Sequence, residues 1–219
     1  GINIQAEPDD VPIPMTSLMQ HFYCLIKVLC RAALLAVLAS TAHATSVIEI
    51  TLEEMLQHSA LVFEGQVIRV QVHENSRRGI QTRVTFEVTD VIKGEVKGKQ
   101  LTLGFLGGTL AGRKLSVSEM HMPVLNERGI YFVESLQRNQ VHPLYGWSQG
   151  HLRLEQGPAG TERVFTRSGR PVRGVEPTRG KRSGRLSEGV ARGLLLGDVT
   201  DVSSALDHRE FKRLLREMQ

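Results

Sequence analysis

LVFEGQVIRVQV, running from Leu61 to Val72, is the stretch whose reading decides the fold. Its apolar alternation changes phase. Phe63, Gly65 and Val67 share one parity, whereas Ile68, Val70 and Val72 share the other. Successive side chains of a strand point to opposite faces, so a regular strand cannot place both sets on one side. One extra residue near Val67 reconciles them, and Gly65 permits the sharp bend that such a bulge requires. A long, bent first strand is the device by which small barrels turn their corners.

The residues that follow repeat the strand–turn rhythm. His73 to Gln81, with Ser76-Arg77-Arg78-Gly79 at its centre, reads as a polar hairpin loop. In the return strand Val84, Phe86 and Val88 alternate against Thr85, Glu87 and Thr89. Lys93 to Gly98 is a second turn, Leu101, Leu103 and Phe105 alternate again, and Gly107, Gly108 and Gly112 break the chain into a loop. Ile130-Tyr131-Phe132-Val133 is suited to a buried strand, and Val141–Tyr145 and His151–Leu154 complete the set. Short strands at regular spacing with polar turns predict a mainly β fold, a closed or nearly closed antiparallel barrel around a single core.

Two helices flank this region. Thr51-Leu52-Glu53-Glu54 is a capping box, and Leu52, Met55 and Leu56 share one face of a short helix ending near Ser59. At the other end Phe211, Leu214, Leu215 and Met218 form an i, i+3, i+4, i+7 apolar stripe, with Ser203 or Ser204 as the expected cap. Between barrel and helix the composition shifts. Residues 167–192 hold eight basic residues against Glu176 and Glu188, with five glycines and two prolines. Few apolar residues and high net charge predict a flexible basic linker.

The N-terminal region reads as a targeting segment. Lys27 and Arg31 give a basic region, Ala32 to Ser40 a short apolar one, and Thr41-Ala42-His43-Ala44 supplies small residues three and one before a cut. The apolar run covers about 11 residues, short of the ~20 that a spanning helix needs. A start at Met15 or Met19, export to the periplasm or beyond, and cleavage after Ala44 are the expectation. The predicted organisation is therefore an extension plus signal over 1–44, a barrel over 45–166, a linker over 167–200 and a helix over 201–219, with no transmembrane span after the cut.

Composition then narrows the chemistry. The chain carries 27 Lys and Arg against 23 Asp and Glu, a net charge of +4. The excess lies largely in the 167–192 segment. Both cysteines, Cys24 and Cys30, belong to the leader. The chain from Thr45 on thus has no thiolate for a nucleophile, a zinc site or an iron–sulfur cluster. Of the histidines beyond the leader, none forms the i, i+4 pair of a zinc-protease helix. Glu119 and His121 share a strand parity, but two ligands do not make a metal site. FLGGTLAG, Phe105 to Gly112, lacks the Lys-Ser/Thr ending of a phosphate loop. No catalytic residue, metal ligand or cofactor is assigned.

From Leu52 to Leu154 the stretches TLEEMLQHSALVFEGQVIRV, VTFEVTDVIKGEVKGKQLTLGFLGG, NERGIYFVE and GWSQGHLRL resemble an uncharacterised family of secreted bacterial domains. The strand–VIKG–strand pattern is also similar to the netrin-like modules, including the inhibitory domains of tissue inhibitors of metalloproteinases. That resemblance implies an OB-like barrel of about five to seven strands. It does not carry the inhibitors' mechanism, which depends on an N-terminal cysteine; here Thr45 would stand first. The expected function is a non-catalytic module of the cell envelope that holds a protein or surface partner. Arg77, Arg78, Tyr145, Trp147, Arg179, Lys181 and Arg182 form the candidate binding surface. The alternatives are a polyanion or nucleic-acid binder acting through the barrel face and the basic arm, export making nucleic acid the less natural ligand, and a hydrolase in which Glu119, His121 or His142 meets another titratable group. Intact-mass measurement of exported material is expected to find a chain beginning at Thr45; a retained leader overturns this reading.

Overall fold

A computed structural model describes residues 47–219, apart from 118–119, 139, 158–159 and 179–183. The expected leader and cleavage site therefore lie outside the described residues. The elements are α1 (Leu52–His58), β1 (Leu61–Asn75), β2 (Gly79–Lys93), β3 (Gln100–Leu106), β4 (Gly108–Leu110), β5 (Arg113–Leu115), β6 (Arg128–Val133), β7 (His151–Gln156), β8 (Glu162–Thr166), β9 (Val172–Val175), β10 (Leu194–Leu196) and α2 (His208–Glu217). Among the described residues no helix is long and apolar enough to cross a membrane.

The fold is mainly β and antiparallel. Six strands form one sheet in the order β3-β2-β1-β6-β7-β8, and β9–β10 and β4–β5 form two small ribbons. The two outer strands of the large sheet do not pair with each other, so the expected closed barrel is corrected to an open sheet. The reason lies at the β8 edge. Arg163 and Phe165 bridge to Asp207 and Pro171, and the Val164 amide donates to the Leu206 carbonyl, so this edge is taken by local chain.

The bulge expected near Val67 is present. In the β1–β2 ladder Val67 opposes Phe86 and Arg69 opposes Thr85, which leaves Ile68 without a partner, and further register shifts flank Phe63 and Gly65. Gly65 is required at its position. A Cβ there would lie 2.7 Å from the Glu87 carbonyl oxygen and 3.0 Å from the Phe63 ring. Beyond the bulge the second apolar set does not enter the core, since Val70 is exposed.

The sheet has two cores rather than the single one expected, because β1 and β6 are buried on both faces. Leu61, Phe63, Val67, Tyr131 and Val133 pack with Val84, Phe86, Leu103, Phe105 and Leu144 on one side. Phe63, Phe86 and Tyr131 meet there with ring centroids 4.7–5.4 Å apart. Val62, Ile130 and Phe132 face the other way, against Met55 and Leu56 of α1, Val172 and Leu194 of the small ribbon, and Phe211 and Leu215 of α2.

The helices follow the sequence closely. The Thr51 hydroxyl accepts from the Glu54 amide at 3.0 Å, and Ser59 caps the end of α1. The α2 stripe packs on the sheet, but its cap is Asp207, whose carboxylate accepts from the Arg209 amide at 2.8 Å. Ser203 lies in a separate 3-10 turn with Ser204. Val141–Tyr145 makes a single bridge, Val133 to Leu144, rather than a strand. The described parts of 167–200 differ from the flexible linker expected. Val172–Val175 pairs with Leu194–Leu196, and Val172 and Ala191 are buried in the helix-side core. Segments as short as VRGV and LLL suffice for this, because each needs to bury only one or two side chains.

Phe63→Ala and Phe132→Ala remove one aromatic from each core. Each is expected to lower the free energy of unfolding by about 3–5 kcal/mol, read from urea midpoints. A near-neutral Phe132→Ala would show that the helix-covered face is not a core.

Candidate functional site

The candidate surface residues occupy three places. Arg77 and Arg78 sit at the β1–β2 turn, where both amides donate to the Asn75 side-chain carbonyl at 3.0 and 3.2 Å. Tyr145 and Trp147 lie on one turn before β7, and both are already engaged. The Tyr145 hydroxyl donates to Glu54 at 3.0 Å, while the Trp147 indole stacks on His142 with centroids 5.6 Å apart and planes 9° off parallel. Arg179, Lys181 and Arg182 lie outside the described residues. The structure thus brings Tyr145 and Trp147 together as packing residues and leaves Arg77 and Arg78 on an exposed tip.

Arg78 is also at one end of a groove of about 620 Å³, within the usual range of ligand clefts, that runs beside β3. Gln100 to Gly104 line it together with Val96, Lys97, Leu136 and Arg138. The register makes β3 an edge that one neighbour leaves half used. The Val88 amide donates to the Lys99 carbonyl, and Gln81 to Glu87 oppose Leu106 to Gln100 in sequence. Backbone groups in an antiparallel pair alternate in direction. Leu101, Leu103 and Phe105 therefore bond to β2, and Gln100, Thr102, Gly104 and Leu106 turn their N–H and C=O groups outward. The Leu106 amide meets the Val141 carbonyl at 3.0 Å. Among the described residues no backbone partner meets those of Gln100, Thr102 and Gly104.

Elsewhere the polar groups are spent on the fold itself. Glu64 on β1 is 2% exposed, beneath α2. Its Oε1 accepts from Arg128 of β6 at 2.9 Å and from Thr89 at 3.0 Å. Its Oε2 lies 2.9 Å from His208 Nδ1 and 2.7 Å from Lys212 Nζ. The carboxylate can only accept, so His208 carries its proton on Nδ1. Lys212 continues to Asp90 at 2.7 Å, Arg216 reaches Asp90 at 2.8 Å, and Arg128 reaches Glu162 at 2.7 Å. Burial pushes the Glu64 carboxyl up, but hydrogen bonds from Lys212 and His208 outweigh it and hold the group below the ordinary value of 4.5. Asp90 is lowered in the same way: burial opposes the shift and Lys212 and Arg216 impose it. Burial likewise opposes, and Asp90 and Glu64 impose, a rise in Lys212.

Glu64, Glu162 and His208 have ligand atoms within 4.8 Å of one another, the spacing of a metal centre. The donor set does not fit one. Both Glu64 oxygens are occupied by cationic side chains, and a divalent ion among them would stand beside Arg128 and Lys212. Three carboxylates facing three permanent cations neutralise each other without it. Sequence reasoning missed this network, although a signal existed. His208, Lys212 and Arg216 follow i, i+4, i+8 along α2, a cationic stripe beside the apolar one, and Glu64 and Asp90 oppose each other in the β1–β2 ladder.

Of the histidines expected of a hydrolase, His142 is buried and His121 is not; His151, outside that expectation, is buried too. His151 Nε2 lies 2.7 Å from Glu127 Oε1, but the ring is 1% exposed and stacks near Tyr131 at 4.9 Å. Burial lowers the His151 pKa, against the pull of Glu127. Burial also raises that of Tyr131 well above its usual range, with Glu127 adding to it. His142, lowered to about 4 chiefly by burial, accepts from the Leu144 amide at 3.2 Å. His121 is exposed and Glu119 lies outside the described residues. The buried His142 and His151 rings fill space between aromatics.

Compared with protein-family models, with curated proteins and with solved structures, the chain matches none.

Lys212→Met leaves the Glu64 carboxylate with one permanent cation fewer and is expected to cost about 3 kcal/mol, as for a broken buried pair. Glu64 and Asp90 titrate lower in the folded chain, so their contribution is complete above the unfolded values and is lost as pH falls through the folded ones. Stability of the parent chain should therefore drop below about pH 4.5, and Lys212→Met should shrink that acid-limb drop in urea unfolding. An unchanged acid limb would show that the network does not control it.

Proposed function

We propose that the chain is an exported, non-catalytic binding module of the cell envelope that holds a protein or surface partner. One observation carries this reading: the β3 edge, where Gln100, Thr102 and Gly104 have no outer backbone partner among the described residues, lines a groove with both apolar and cationic residues. Native sheets ordinarily cover, shorten or charge their edges, and the β8 edge of this sheet is covered. We further read the bulged β1 with β2 and β3 as the bent part of an OB-like framework. The VIKG turn shared with the netrin-like pattern and the register shifts that bend β1 support that reading. Export rests on the leader pattern from Lys27 to Ala44.

The polyanion alternative needs a different test from deletion of the basic segment. Removing residues 167–192 would take Val172 and Ala191 out of the core. Neutralising Arg179, Lys181 and Arg182 alone addresses it cleanly.

Photo-crosslinking from the β3 edge, in the envelope of a producing bacterium, is expected to trap a specific partner. Recovery of nothing beyond what an unrelated exported protein traps would defeat the module reading. Retention on a polyanion matrix that is lost in the triple neutralised variant, with no protein trapped, would replace it by the alternative.

A further inference from the structure

The geometry points to strand addition: the β3 edge takes up an extended, acidic segment of a protein partner as a further strand of the sheet. The inference rests on the binding-module reading and specifies how and what the module holds.

The outward backbone of β3 defines the mode. Gln100, Thr102 and Gly104 each present one N–H and one C=O on the side away from β2. The spacing is that of every second residue, which is the pattern an incoming strand requires. Leu106, next in that series, already bonds Val141, so the chain itself closes the far end of the edge and leaves the near part open. The edge is also accessible: Gln100, Thr102 and Gly104 are all exposed.

The walls define the partner. Arg78, Lys97 and Arg138 line the groove against the single acid Glu95. Arg78 is itself engaged with a neighbour, Arg138 shares its charge with Glu134 at 3.2 Å, an exposed pair that competes weakly, and Lys97 supplies the charge tested below. The groove thus favours carboxylates. Val96, Leu101, Leu136 and Pro143 supply apolar surface in the same lining. Successive side chains of an added strand alternate between faces. A segment with acidic residues at every second position and small apolar residues between them meets both requirements.

The probe is a short peptide of alternating aspartate and valine, blocked at both ends, titrated into the full chain by calorimetry. Saturable binding is expected. N-methylation of every second residue should abolish binding in one phase and be tolerated in the other, because only one set of amides faces β3. Gly104→Pro removes an outward N–H without touching the bonds to β2, and should weaken binding about tenfold, the loss of one to two backbone hydrogen bonds. Lys97→Glu should weaken it severalfold and flatten its salt dependence. Equal binding in both N-methylated phases, equal binding of a lysine–valine peptide, or no binding at all would each overturn strand addition; the first two use the parent protein and do not depend on how any variant folds. If the parent chain fails to bind the peptide while photo-crosslinking still traps a specific partner, strand addition alone is lost. Failure of both removes the module reading with it.

Discussion

A carboxylate buried under a helix constrains this structure more than any other single group. Glu64 stands on β1, the strand shared by both cores, on the face that α2 covers. An unpaired charge there would cost several kcal/mol. The fold answers with Arg128 from the neighbouring strand and with His208 and Lys212 from the helix. The same face is apolar toward Val62, Ile130 and Phe132 and ionic toward Glu64, Arg128 and Asp90. α2 matches it along its length, with Phe211 and Leu215 beside His208, Lys212 and Arg216. Apolar burial supplies the attraction, and the ion network sets the one position in which no charge is stranded.

This arrangement explains why the chain holds together without a disulfide in the residues after Cys30. Export permits disulfides, and small exported domains commonly rely on them. Here β1 and β6 are buried on both faces, so every residue from Leu61 to Phe63 and from Ile130 to Val133 contributes to one core or the other. The two layers share their central strands, and the β9–β10 ribbon seals the helix side through Val172 and Leu194. The contrast between the two edges then gains meaning. β8 is covered by residues 205–207 and by Pro171, whereas β3 offers a regular outward ladder beside a groove. Stability is concentrated at the centre and at one edge, and the proposed strand addition would use the other.

Much of the local structure was legible in the residues. The phase change across Gly65 to Ile68 announced the bulge, because alternation has a fixed period of two and a break in it has one economical cause. The Thr51 cap and the stripe from Phe211 to Met218 were equally plain. The candidate site was less so. Trp147 and Tyr145 carry no mark of whether they face solvent or His142 and Glu54. Gln100, Thr102 and Gly104 are polar or small residues at alternate positions, which reads as an ordinary solvated face. Nothing in them says that their backbone lacks a second neighbour.

The amino-acid sequence by itself therefore determined the antiparallel β character, the bend in the first strand, the two helices and the lack of any cysteine after Cys30, because each is read from residues close along the chain. Only the tertiary structure decided that the sheet stays open, that it has two cores, that Val172 and Leu194 join one of them, and that Glu64 meets Lys212. Those outcomes depend on which distant segments compete for the same edge or the same charge, and that competition is resolved by packing in three dimensions rather than by any local pattern.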